Sequence, residues 1–238
     1  MTLQVFQDDA FKLIECNEQF VIIDKMPGIS FHTEDGVLGI VERVKAALKL
    51  NELYPVHRLD KMTSGLLILA RTEAANRALS ALFRERLVEK YYLAISDRKP
   101  TKKQGLIKGD MERSRRRSWK LCKSTENPAI TQFISISLEP GKRLYLMRPK
   151  TGKTHQIRVA LKSIGAPVMG DSIYSAETAG QWDRGYLHAF ALKFELDKQS
   201  YSFTCLPSVG EYFVSSIFEE LVQQYLHPRD LKWPDCKA

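Results

Sequence analysis

The chain has 238 residues, 44% of them apolar and 27% charged, with a formal net charge of +8. That is enough chain to bury a substantial core, and the composition excludes a disordered or low-complexity protein. The first nine residues lack the charged-then-apolar pattern of a secretory leader, and no uninterrupted apolar run approaches membrane-spanning length, so a cytoplasmic protein is expected.

Cys16, Cys122, Cys205 and Cys236 are widely spaced without a C-x-x-C pair, which argues against a disulfide framework or a zinc site. The positive charge is concentrated. Arg98 to Lys123 holds eleven Lys or Arg against Asp110 and Glu112, a net of +9, and Lys142 to Lys162 holds seven with no acid, a net of +7. The rest of the chain is left at −8. Two positive fields on an otherwise acidic chain suit a polyanionic partner, because clustered cations release counterions from phosphates.

In chain order, Phe20 to Asp24 reads as a short buried strand stopped by the Met26-Pro27-Gly28 turn. Ile40, Val41, Val44, Ala47 and Leu48 recur at helical spacing. The stretch Pro55-Val56-His57-Arg58-Leu59-Asp60-Lys61 then precedes an apolar strand, Leu66 to Ala70. Here one carboxylate stands among His57, Arg58 and Lys61 at the mouth of a buried element. Nearby cations favour its anion and a rigid strand aims it, as a nucleophile requires; a turn former or half of a surface ion pair is the plainer alternative for a lone Asp.

Thr72 is the expected N-cap of a helix bearing Ala75, Leu79, Leu82 and Phe83, which leads into a strand from Glu89 to Ile95. Arg98 to Lys123, with Arg115, Arg116 and Arg117, reads as an exposed basic insertion or hairpin (98–123) able to lie along a phosphate backbone. Trp119 within it could stack on a base or anchor the loop by packing. Ile130 to Leu138 and Arg143 to Met147 suit two strands joined at Glu139-Pro140-Gly141. Thr154 is the expected cap of a helix whose stripe is Ile157, Ala160, Leu161 and Ile164, ended by Gly165 and Pro167. His155, Arg158 and Lys162 then share a basic face which, with Lys150 and Lys153, would attract an anion to the helix N-terminus. Leu187 to Phe194 and Tyr201 to Leu206 read as paired strands, and Glu211 to Leu226 as a closing helix. One α+β domain over 1–238 accommodates these elements.

Gly152-Lys153-Thr154 resembles the end of a phosphate-binding loop, but Met147 stands where that loop needs glycine. Gly170-Asp171-Ser172 suits ordinary turn chemistry, and the five histidines show no metal-ligand spacing.

His57-Arg58-Leu59-Asp60 with Thr63-Ser64-Gly65-Leu66-Leu67 resembles the signature of the RluA-type pseudouridine synthases. The resemblance continues in order through Lys90-x-Tyr92-Leu93-Ala94, Thr151 to Val159, Pro167-Val168-Met169-Gly170-Asp171-x-x-Tyr174 and Leu187-His188-Ala189. It implies a mixed, largely antiparallel sheet with flanking helices around a central RNA-binding cleft. The implied reaction converts uridine in structured ribosomal or transfer RNA to pseudouridine, with no cofactor and no metal. Carried over by position, Asp60 would be the nucleophile, Tyr92 the tyrosine near the uracil ring, Arg158 the partner of the Asp carboxylate, and Arg58 the arginine that fills the place of the extruded nucleotide.

The residue chemistry agrees. A carboxylate can help break the bond from uracil N1 to ribose by nucleophilic attack or by taking a sugar proton, and the ring then rejoins through C5. A uridine in a stem must first swing out, at a cost of a few kcal/mol. A phenol with a pKa near 10 is a poor base at neutral pH, so stacking suits Tyr92 better than proton abstraction. Met62 and Ala160 depart from the family pattern, and the small S4-type RNA-binding module of many relatives is not expected before Phe20. RNA contacts are therefore expected from Arg58, His57, Lys61, Arg115, Arg116, Arg117, Lys150, Lys153, His155 and Lys162, on a monomer that takes a compact stem-loop. A non-catalytic RNA-binding protein that keeps the cleft is the competing expectation.

Overall fold

The computed structural model describes residues 7–115 and 118–234. In chain order the elements are β1 (Gln7–Asp8), β2 (Phe11–Cys16), β3 (Phe20–Lys25), α1 (Ile40–Ala47), β4 (Tyr54–Pro55), β5 (Ser64–Ala70) and α2 (Glu73–Arg84). There follow β6 (Glu89–Ser96), β7 (Gln104–Gly109), β8 (Met111–Arg113), β9 (Trp119–Leu121), β10 (Ala129–Glu139), β11 (Lys142–Pro149) and α3 (Gln156–Ser163). The chain ends with α4 (Ala176–Ala179), β12 (Leu187–Leu196), β13 (Gln199–Thr204), α5 (Ser216–Val222) and a 3-10 turn, Gln223–Tyr225. The class is α+β, built on mixed, largely antiparallel strands. No described helix is long and apolar enough to cross a membrane. The chain groups into two units, Met1–Glu89 with Ala189–Leu206, and Lys90–His188 with Pro207–Ala238.

In the first unit β1, β2, β3 and β5 pair antiparallel in that order, β12 adjoins β5, and β13 pairs with β12. Every residue of β3 and β5 is buried, which accounts for their unbroken apolar runs. Phe20 and Ile22, Leu66 and Ile68, and Leu192 and Phe194 each lie two residues apart and so share a strand face. That face meets Ala75 and Leu79 of α2 in one core, and Thr72 caps the helix as expected, its Oγ1 accepting the Ala75 N–H at 3.1 Å. The expectation of a first strand at Phe20 missed β2. Its Lys12, Glu15 and Cys16 interrupt the apolar pattern, since a strand so near the edge of a sheet needs fewer apolar positions.

The second unit is a sheet in the order β6-β11-β10-β7, antiparallel throughout. The β10–β11 hairpin turns where expected, with Gly141 at φ 81°, a conformation that Glu139-Pro140 could not supply. The basic segment is more ordered than an insertion. β7 is a full sheet strand on β10, and only β8 and β9 form a separate two-stranded hairpin.

Helix α3 departs from expectation twice. Its N-cap is His155, in the left-handed region at φ 56°, rather than Thr154, and the His155 side chain makes no capping hydrogen bond among the described residues. The Gln156 side chain instead ties the first turn to the preceding loop, accepting from Thr151 Oγ1 at 2.7 Å and the Lys153 N–H at 2.9 Å. Nor is there one basic face: all six residues from Gln156 to Leu161 are buried, because α3 packs against β9 as well as β10 and β11. Lys162 is exposed while Arg158 is inside. The closing helix is also shorter than expected, opening at Ser215, whose Oγ accepts the Phe218 N–H at 3.2 Å, and leaving Val214 and Ile217 exposed.

Candidate active site

The residues expected to do chemistry fall in both units, His57 to Lys61 in the first, Tyr92 and Arg158 in the second. The chain approaches Asp60 through β4, which pairs with Ala70 and Leu69 of β5 and then leaves it. At the next position the Ile68 N–H donates to His57 Nε2 at 3.0 Å, so the imidazole stands in for a strand carbonyl. An acceptor nitrogen carries no proton, which fixes the tautomer. The ring also stacks on Phe83 of α2, with centroids 4.4 Å apart and planes within 14°. The structure thus gives His57 a bracing role that the sequence did not indicate.

Arg58 is exposed, its guanidinium carbon 5.9 Å from the centre of the buried Phe31 ring. A guanidinium laid near an aromatic face keeps its charge open to solvent while its orientation is restrained. Leu59 is buried and Asp60 half-buried, in a turn closed by the Thr63 N–H on the Asp60 carbonyl at 3.0 Å. The Lys61 side chain is exposed, but its carbonyl accepts from the Gly28 N–H at 2.8 Å and from Lys25 Nζ at 3.3 Å. Lys25 has 0% exposure and its Nζ also donates to the Met26 and Ile29 carbonyls at 2.9 and 3.0 Å. One buried ammonium therefore ties the end of β3 and its turn to the residue after Asp60. Sequence reasoning missed Lys25, whose only sign was a cation at a buried strand end just before Met26-Pro27-Gly28.

In the second unit Tyr92 is half-buried on β6 opposite Met147, and Tyr91 faces the other way into the core. Arg158 makes a buried two-pronged pair with Asp171, Nε to Oδ2 at 2.7 Å and Nη2 to Oδ1 at 2.8 Å. Asp171 also accepts the Ile173 and Tyr174 N–H groups at 2.9 and 3.1 Å. The turn chemistry read from Gly170-Asp171-Ser172 is present, and the same carboxylate fixes the guanidinium, which the sequence did not reveal. Lys150, Lys153 and His155 are half-buried and Arg115 and Lys162 exposed. Arg116 and Arg117 lie outside the described residues. Trp119 is half-buried under the Arg113 guanidinium, 5.6 Å from ring centre to carbon, which favours the packing role. Burial, then the Asp24 carboxylate beside it, pushes the Cys205 thiol far up.

A single carboxylate on a clamped loop, flanked by an exposed arginine, in a chain with two strongly basic segments describes an enzyme for a polyanionic substrate. Comparison makes that class specific. Residues 19–163 match the family described as RNA pseudouridylate synthase. The chain is 48% identical to a protein of Haemophilus influenzae named uncharacterized RNA pseudouridine synthase, over 88% of this chain and 93% of that one. It is 31% identical to the dual-specificity RNA pseudouridine synthase RluA of Escherichia coli K12, over 78% of this chain and 83% of that one. Among solved structures, human RNA pseudouridylate synthase domain containing 1 shares the fold, with a TM-score of 0.71 at 24% identity over 94% of this chain and 97% of that one. The chain belongs to the RluA-type RNA pseudouridine synthases: it is an isomerase that modifies RNA.

Proposed function

We propose that Asp60 is the nucleophile of this synthase, acting as a monomer in the cytoplasm on a uridine swung out of a stem-loop in ribosomal or transfer RNA. The observation that carries the reading is the loop itself. Asp60 is half-buried, its turn is closed by Thr63, and the next carbonyl is gripped by a fully buried lysine. A carboxylate that must meet a sugar carbon or proton gains rate from being held in place beforehand.

The reaction leaves the atoms of the nucleotide unchanged in number. The bond from N1 to the anomeric carbon breaks, the ring turns, C5 bonds to that carbon and loses its proton, and N1 ends protonated. Asp60 assists the first step by attack or by removing a sugar proton. Arg158, held rigid by Asp171, is the partner proposed for the Asp60 carboxylate; Tyr92 packs on the extruded uracil, and Arg58 fills the gap left in the RNA. Exposed cations on β8–β9 and around α3 hold the phosphates.

The test is pseudouridine mapping by carbodiimide-dependent primer extension on bulk RNA incubated with wild type, Asp60→Ala and Asp60→Asn. Both variants are expected to lose turnover by about a thousandfold or more while binding RNA within about threefold of wild type. Turnover retained by Asp60→Asn would overturn the assignment. The RNA that wild type marks identifies the substrate.

A further inference from the structure

Tyr174 sits at a junction that the chemistry above does not use. Its backbone is set by the Asp171 turn, and its ring lies against Arg158, with the guanidinium carbon 5.1 Å from the ring centre. The side chain is buried, and its hydroxyl reaches two further elements of the same unit. It accepts the Trp119 N–H at 2.8 Å, and it lies 3.0 Å from Nδ1 of His155. Trp119 begins β9, the returning strand of the basic hairpin, and His155 is the left-handed residue at the start of α3.

The hairpin meets the rest of its unit where β9 packs on α3, and the Tyr174 hydroxyl lies at that junction. Within the described residues β8 and β9 pair only with each other, outside the β6-β11-β10-β7 sheet. At its base the Asp110 N–H bonds to Ser124 and the Cys122 N–H to Asp110, each at 2.8 Å, which closes the hairpin. Its exposed cations include Arg113, Arg115 and Lys120.

We infer that Tyr174 is a positioning residue which locks the basic hairpin to the start of the Arg158 helix, so that the hairpin's hold on RNA and the arginine's position are set by one side chain. This rests on the reading of the hairpin as a phosphate contact. One phenol does both jobs: the ring packs on the guanidinium, and the oxygen holds the hairpin backbone and the helix cap.

Tyr174→Phe separates them, keeping the ring and removing the oxygen. The Trp119 amide is then expected to exchange with solvent about tenfold faster. The KM for RNA should rise about tenfold, with kcat falling less than about threefold, and the slope of affinity against salt should flatten as the hairpin cations disengage. A variant with Arg115→Ala and Lys120→Ala should weaken binding similarly, and adding Tyr174→Phe to it should cost little more. If the charge variant weakens binding but Tyr174→Phe changes neither KM nor salt slope, the tether is refuted and the hairpin contact stands. If neither variant alters binding, the hairpin reading fails and the inference with it. A fall in kcat alone, without change in KM, would reduce Tyr174 to a prop for Arg158.

Discussion

A lysine with no exposed surface is costly to fold unless the protein solvates its ammonium, and Lys25 is solvated by the carbonyls of Met26, Ile29 and Lys61. Lys25→Met keeps most of the stem and removes the charge, leaving three carbonyls to lose a donor. The expected cost is about 2–4 kcal/mol in urea unfolding, with a fall in turnover because the Asp60 loop is loosened. An unchanged midpoint with unchanged turnover would mean that the loop holds itself. Asp60 and Arg58 stand in a turn just ahead of β5, where the sequence puts them, because a charged tetrapeptide before an apolar strand is a local pattern. Lys25 and Asp171 were not legible there, because what each does depends on a residue distant in sequence: Lys61 for the lysine, Arg158 for the aspartate. His57 illustrates the same limit, since nothing in its neighbours shows that its Nε2 completes the hydrogen bonding of β5 at Ile68.

At the scale of elements, β5 aims the Asp60 loop, and it begins with a constraint that only glycine meets. Gly65 has φ 107°, and a Cβ built on it would lie 2.3 Å from the Ala189 carbonyl oxygen and 2.6 Å from the Ala189 nitrogen on the adjoining β12. Gly65→Ala must shift one strand or the other, both of them backbone, so the expected loss is about 3 kcal/mol or more, read by thermal or urea unfolding. A loss under about 1 kcal/mol would show that the β5–β12 spacing can give. Elements whose residues bury a regular stripe were legible: β3 and β5 from their apolar runs, α2 from its cap and spacing. The errors have physical causes. β2 is too polar to stand out near the sheet edge, α3 lost its predicted basic face because three strands cover it, and the last helix started late because Ser215 offers a cap within the expected span.

At the scale of the molecule, the second unit keeps its phenols in a setting that determines how it fails at high pH. Tyr145, Tyr186 and Tyr225 are buried; burial pushes Tyr145 up to about 12 and the other two further, with the Asp183 carboxylate adding to Tyr186. Arg143 pulls the other way on Tyr145 and Tyr225 without reversing the shift. In the unfolded chain these phenols titrate near 10. A folded pKa raised above the unfolded one means that the unfolded chain releases the proton first, so stability is complete below about pH 10 and is lost as pH climbs toward 12. Unfolding between those limits is therefore expected to track tyrosinate absorbance, in one cooperative step of ellipticity. Tyr145 offers a sharper arm, because its buried hydroxyl has no hydrogen-bond partner among the described residues. Tyr145→Phe should be neutral or more stable by up to about 1 kcal/mol at pH 7, and should move the alkaline midpoint upward. Tyrosinate absorbance that rises fully near pH 10 before any loss of ellipticity would show the phenols to be accessible in the folded state, and that alkaline unfolding has another cause.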